Sequence, residues 1–353
     1  MPGVYISYPF CAQKCTYCNF ASGVFPRELE PRYNTALRRH IAQHPFAWKP
    51  ETVYWGGGTP SLMDLDAFSA VMAAIPGAPW VEATLEASPG TITPERARAW
   101  RQAGIDRVSL GVQSFVEPEI RQTGRKHTRA IVEQDVAMLR EAGIVKINLD
   151  LIAGLAGQTR SSWRESLDAL LALEPDHASV YMLEVDEDSR LGRELTLGGV
   201  RYGAAVVPSD DAIVEFYETA VDVLAAAGLP RYEISNFARP GHESRHNLKY
   251  WRREPYIGFG ADAHSFDGIE RWANTDSIND FVTLDNPIVE RSTAIAGEEH
   301  FFLGLRLSEG IEAGGVPHHP MEDSGLLERV GGRLRLTRRG VLVSNEVFQE
   351  FLA

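Results

Sequence analysis

The first 235 residues alternate short β-type runs with helix-type runs, and no other feature narrows the fold as much. The strand candidates are VYIS at 4–7, TVYW at 52–55, EATLEA at 82–87, RVSLGV at 107–112, KINLDL at 146–151, ASVYML at 178–183 and RYEIS at 231–235. Most are rich in Val, Ile, Leu and Tyr, residues that suit a pleated, buried surface. Helix-starting signals stand between them. Thr93-Pro94-Glu95 reads as an N-cap, a first-turn proline and an early acid. Ser209-Asp210-Asp211 opens a helix that runs to Ala227 and stops at Gly228, and Ser161 or Ser162 caps another. Such alternation predicts an α/β fold of parallel strands joined by right-handed crossovers, either a barrel or a doubly wound sheet.

Polar groups fall where these runs end. GGGTPS follows the second strand, Glu86 sits near the end of the third, Gln113 and Ser114 follow the fourth, Asp150 ends the fifth and Glu184 the sixth. In a barrel, the carboxyl ends of the strands build the site. After Ser235 the pattern changes. Residues 236–290 hold Asn, Arg, Gly, aromatics and His, and read as irregular structure against the barrel mouth. Residues 291–353 read as a small α+β unit: EEHFFLGLRL helical, GGRLRLT a strand or hairpin arm, RRGVLVSNEVFQEFL a closing helix.

A net charge of −13 argues against a general nucleic-acid binder, which needs a basic footprint. Apolar runs stay short of the roughly 20 residues that cross a bilayer. MPGVYISYPFC lacks a basic region ahead of an apolar one, so it does not read as a secretory signal. All three cysteines lie within PFCAQKCTYCNF, residues 9–20, with no outlying partner for a disulfide framework. A reducing cytoplasm is the expected compartment.

Those cysteines are spaced C-x3-C-x2-C, at Cys11, Cys15 and Cys18. A zinc site completed by histidine, or plain buried thiols, are the alternatives. Structural zinc draws on paired C-x2-C units far apart in sequence, and nothing here pairs with Cys15 and Cys18. Three thiolates in one tight loop suit a [4Fe–4S] cube better, with the fourth iron open to a non-protein ligand.

C-x3-C-x2-C after a first strand, Tyr17 before the last cysteine, and GGGTP after the second strand resemble the radical S-adenosylmethionine superfamily. YISYPFCAQKCTYCNF, VYWGGGTPSLM, TLEASPGTIT, RVSLGVQSF, QTGRKHT and NLDLIAGLAGQT, in that order, resemble its HemN/HemW group over nearly the whole chain. That group contains oxygen-independent coproporphyrinogen III oxidases and haem chaperones. The resemblance implies a partial (β/α)6 barrel of TIM type with a small carboxyl-terminal, winged-helix-like unit. It also implies a cluster whose open iron is chelated by S-adenosylmethionine, and haem as a further ligand.

The resemblance places Gly57, Gly58 and Thr59 where backbone approaches the methionyl amino group, an approach a Cβ would block. Glu86 would meet an ammonium or ribose hydroxyl, Gln113 ribose or carboxylate, Arg125 the methionine carboxylate, and Asp150 the ribose hydroxyls. Tyr5 and Tyr17 would flank the cluster or pack on adenine. Ser7-Tyr8, Asn19 and Ala156 depart from the usual family text without removing an expected ligand.

Phe20 separates the two activities. The oxidases carry a fourth cysteine there, and an amino-terminal extension for which this chain has no room. HNLKYW, His246 to Trp251, resembles the H-N-x-x-Y-W signature of the chaperones. His246 would ligate haem iron, with Tyr250 and Trp251 packed on the macrocycle. His264 is a second candidate, and Arg271 and Asn274 also match family text. His242 and His246, four apart, leave a helical zinc pair conceivable. The expectation is therefore a haem chaperone that passes haem to an acceptor haemoprotein, with an electron donor and peripheral membrane contact through the acceptor. The alternative is oxidative decarboxylation of coproporphyrinogen III to protoporphyrinogen IX.

Overall fold

A computed structural model of the chain describes residues 2–352. Six strands run parallel in sequence order: β1 (Gly3–Tyr8), β2 (Thr52–Gly57), β3 (Glu82–Ala87), β4 (Arg107–Gln113), β5 (Lys146–Ala153) and β6 (His177–Met182). Helical connections cover them, and the result is a partial (β/α)6 barrel. The connecting helices start where side chains can take orphan N–H groups. Thr93 accepts from Arg96, and Ser209 from Ala212. The third cap is Thr159 rather than Ser161 or Ser162, because Thr159 and Ser162 close a reciprocal capping box.

The inward faces of the crossover helices and the strands build the main core, with a smaller separate cluster of Ile152, Leu155, Leu183, Leu191 and Ala204. Trp55, Trp100 and Trp163 lie in the main core, and Trp163 donates to the carbonyl of Phe216 at 2.7 Å. At the amino-terminal floor, Glu82 and Arg107 form a buried ion pair at 3.1 Å. That pair fixes one end of the barrel and leaves the carboxyl ends for the site.

Two expectations give way. RYEIS at 231–235 is not a strand; the edge strand is β7 (Asn236–Ala238), antiparallel to β6. Segment 236–290 is not irregular. It carries β8 (Tyr256–Phe259), β9 (His264–Phe266), β10 (Glu270–Asn274) and the start of β11 (Ile288–Thr293). Strand β8 runs parallel to β1, and β9 to β11 follow antiparallel, extending the sheet to the order β11-β10-β9-β8-β1-β2-β3-β4-β5-β6-β7. The helix Arg245–Trp251 packs at β2.

The carboxyl-terminal residues form a three-stranded sheet, β12 (Ile311–Glu312), β13 (Leu327–Val330) and β14 (Arg333–Leu336), in the order β12-β14-β13. GGRLRLT is thus a hairpin arm. The closing segment is two short helices, Arg338–Leu342 and Ser344–Gln349, in place of one.

Candidate functional site

A cavity of about 520 Å³ opens at the carboxyl ends of the strands. Cys11, Cys15, Cys18 and Tyr17 line one side; Gly57, Gly58 and Thr59 line another; Glu86, Gln113, Arg125 and Asp150 line the rest. Residues scattered over 140 positions thereby share one space.

The cysteine loop is held at both ends by main chain. Cys11 N–H donates to Gly23, and Gly23 N–H to Pro9. Thr16 N–H donates to the carbonyl of Thr123 at 3.1 Å, and Leu191 N–H to that of Thr16 at 2.8 Å. Gly58 N–H and Thr59 N–H donate to the carbonyls of Tyr8 and Phe10. A Cβ on Gly58 would stand 2.7 Å from Phe10 O and Pro9 C. The glycine is therefore required by the cysteine loop packed against it, a cause that the expected approach of a ligand does not include. Gly57 has φ of +107°, a conformation open to glycine.

Arg125 arrives from the loop after the helix Glu117–Gln122. Its Nε donates to Cys15 Sγ at 3.2 Å, and its guanidinium also meets the carbonyl of Gly111 at 2.5 Å. Burial lifts the thiol of Cys11 above its ordinary value, against donors from Thr59 and Ser22. Among the described residues, no three His, Cys, Asp or Glu groups converge as a single-ion site. The three thiols line one side of a shared cavity, an arrangement that a cube held at three corners fits.

Glu86 accepts from the phenol of Tyr54 at 2.9 Å. Burial, with the Asp150 charge added, raises its carboxyl to about 7. Asp150 accepts from Asn148 and Ser109, and burial raises it too. Gln113 has φ of +70°, and its Oε1 is buried without a partner. A strained residue with an unmet acceptor thus stands among those lining the cavity. Three thiols, two carboxylates, a guanidinium and this orphaned amide are a donor set that fits a cluster and an amino-acid sulfonium.

The other expected residues lie elsewhere. Tyr5 is not among the residues lining the cavity with the cysteines; it stacks on Tyr54 with centroids 6.1 Å apart. His246 is fully buried, and both ring nitrogens are engaged. Nδ1 meets Thr52 Oγ1 at 2.8 Å and Nε2 meets Tyr250 OH at 2.8 Å, while Tyr54 stacks on the ring. Burial pulls its pKa down to about 3. In this conformation His246 has no nitrogen free for haem iron, and Tyr250 and Trp251 are drawn into the same packing. His242 precedes the helix and faces Asp176, so no helical pair with His246 exists. His264 is exposed on β9. Arg271 pairs with Glu299 at 2.6 Å, and Asn274 donates to the carbonyl of Gly260, so both are structural. Phe20 is 65 % exposed at the cavity rim.

Tyr181 and Met182 were not foreseen as lining residues. Tyr181 pairs in register with Ile152, two positions beyond Asp150 and Ser179. Strand alternation from Asp150 would have found it.

Residues 5–170 match the Radical SAM superfamily. The chain is 31 % identical to "Heme chaperone HemW" of Bacillus subtilis (strain 168), over 100 % of this chain and 99 % of the relative. It is 35 % identical to the protein of the same name from Escherichia coli (strain K12), over 74 % and 69 %. A solved structure of coproporphyrinogen III oxidase (HemN) from Escherichia coli superposes with a TM-score of 0.82 at 20 % identity, covering 99 % of this chain and 90 % of that one. At that identity the likeness concerns fold.

Proposed function

The chain belongs to the radical SAM superfamily and, within it, to the HemW family, and on that footing we propose that it binds haem and delivers it to acceptor haemoproteins. The observation that carries the cofactor part is the single cavity joining the three thiols to Glu86, Gln113, Arg125 and Asp150. Cys11, Cys15 and Cys18 would each hold one iron of a [4Fe–4S] cluster. When bound, cluster and S-adenosylmethionine supply one-electron chemistry at the sulfonium. Arg125 would hold the methionine carboxylate in a charge-assisted pair, and it already crosses from Cys15 to Gly111. Gln113 would find a partner for its orphaned oxygen. Asp150 would accept from ribose hydroxyls, its own position fixed by Asn148 and Ser109. Glu86, with a carboxyl near neutrality, would meet a donor on the cofactor or hold a proton there.

Haem ligation by His246 would require the helix Arg245–Trp251 to leave the barrel floor and give up two hydrogen bonds. Phe20 supports the chaperone reading over oxidative decarboxylation, since the resemblance puts a fourth thiol there in the oxidases. The test is paired. The cluster is reconstituted anaerobically, and haem binding and carbon dioxide release from coproporphyrinogen III are both measured. Stable haem uptake without release is expected. Turnover of coproporphyrinogen III overturns the reading.

A further inference from the structure

Beneath the cofactor cavity, Ser109, Asn148 and His177 stand level on β4, β5 and β6, and Asp150 and Ser179 stand level two residues further along β5 and β6. His177, buried at the start of β6, is not among the residues lining the cavity. Its Nε2 meets Tyr232 OH at 2.9 Å, and its Nδ1 meets Asn148 Oδ1 at 2.6 Å. Asn148 Nδ2 in turn reaches Asp150 Oδ1 at 2.6 Å, Ser109 Oγ at 2.7 Å and Ser179 Oγ at 2.9 Å.

The direction of each bond in this line is fixed from both ends. Ser244, the N-cap of the helix Arg245–Trp251, donates its N–H to Tyr232 OH at 3.2 Å. A backbone N–H can only donate, so the buried phenol proton needs an acceptor of its own, and His177 Nε2 provides it. From the other end, an ionised Asp150 can only accept. The Asn148 amide must therefore face it with nitrogen and turn its oxygen to His177. Both arguments put the ring proton on Nδ1. Burial holds the imidazole far below its ordinary value, so no second proton joins it. With the opposite tautomer two lone pairs would face each other, and Asn148 would turn its oxygen toward the carboxylate.

We propose that His177 is a positioning residue of the cofactor site: its Nδ1–H fixes the Asn148 amide, which in turn holds Asp150 aimed at ribose donors. This rests on the reading of Asp150 given above. The ring acts only through Asn148 and Asp150, and the line of bonds runs from the start of the HNLKYW helix to the cavity.

The test uses the full chain with its cluster reconstituted and titrated calorimetrically with S-adenosylmethionine. The samples are wild type, His177→Asn, His177→Gln, Asp150→Ala and the double variant Asp150→Ala/His177→Gln. In His177→Asn the amide nitrogen stands near the place of Nδ1 and donates to Asn148; in His177→Gln, one carbon longer, it stands near Nε2. His177→Gln should bind roughly tenfold more weakly than wild type, the scale of one hydrogen bond to a charged group, and His177→Asn within about threefold of it. Adding His177→Gln to Asp150→Ala should cost nothing further, since the path already ends there. A packing defect would weaken both His177 variants alike and would persist in the double variant. Nitrogen NMR of the cofactor-free wild type, with the ring assigned by its absence from His177→Gln, should show the proton on Nδ1. A ring protonated on Nε2, wild-type affinity in His177→Gln, equal losses in His177→Asn and His177→Gln, or an undiminished loss in the double variant each overturn the proposal. The Asp150 reading survives those results as long as Asp150→Ala binds more weakly than wild type. Wild-type affinity in Asp150→Ala overturns both.

Discussion

Tyr54 donates its phenol to Glu86 at 2.9 Å while its ring stacks on His246, 5.2 Å away between centroids. One side chain thus joins the cofactor cavity to the HNLKYW helix. The carboxylate end of this link has an acid-base consequence. Burial raises Glu86 from 4.5 to about 7, so between those values the folded chain holds a proton that the unfolded chain has lost. Stability then falls as pH rises through that window, by up to about 3 kcal/mol in total. Glu86→Gln should remove this fall. Denaturant unfolding of the cofactor-free chain from pH 4.5 to 7.5 checks it; identical slopes in wild type and Glu86→Gln would refute the shift.

His246 bears the opposite sign. Its pKa is depressed from 6.5 to about 3 by burial, with Lys249 adding to it. Below pH 6.5 the unfolded chain takes up a proton that the folded chain refuses. Stability contributed by neutral His246 is therefore present above 6.5 and is lost as pH falls toward 3, at about 1.4 kcal/mol per unit. His246→Gln should flatten that loss. It should also cost about 1–3 kcal/mol at pH 7, because Thr52 and Tyr250 lose their partner. NMR titration of the ring in wild type measures the value directly, and a His246 that titrates near 6.5 contradicts the packing.

The six parallel strands were readable because each is a compact apolar run between glycine or helix-cap signals, and EATLEA matches β3 to the residue. Strands β8 to β11 were not. They are three to six residues long and stand among glycines, and they gain order by pairing outward from β1 rather than by their own pattern. The site was legible at strand ends, where Glu86, Gln113 and Asp150 fall in order. Local text does not show that His246, a polar residue in a polar stretch, folds beneath the barrel and is sealed there by Tyr54 and Tyr250. Nor does it show that Arg306, far along the chain, returns to cover Trp251.

The cysteine loop gives a prediction in metal content. Each of Cys11→Ser, Cys15→Ser and Cys18→Ser should lower iron and acid-labile sulfide from about four per reconstituted chain to below one, since a cube short of one anchor is labile. The thiols are only half-buried and the loop is pinned by main-chain bonds to Gly23, Thr123 and Leu191, so the cofactor-free chains should unfold within about 1 kcal/mol of wild type. Stoichiometric zinc without labile sulfide in the wild type would reject the cluster.

Gln113 separates backbone strain from ligand contact. Its φ of +70° suits glycine and penalises any Cβ, while its amide oxygen waits unpaired in the cavity wall. Gln113→Gly and Gln113→Ala remove the same amide, but only alanine keeps the strained Cβ. Gln113→Gly should therefore be the more stable of the two by about 1 kcal/mol. Both should weaken S-adenosylmethionine binding alike, by about tenfold, the worth of one hydrogen bond to a buried acceptor. Calorimetric titration beside thermal unfolding reads both quantities on the same samples. Equal stabilities would mean that the left-handed turn relaxes when the side chain goes. Unchanged affinity would remove Gln113 from the cofactor site and leave its strain without a function.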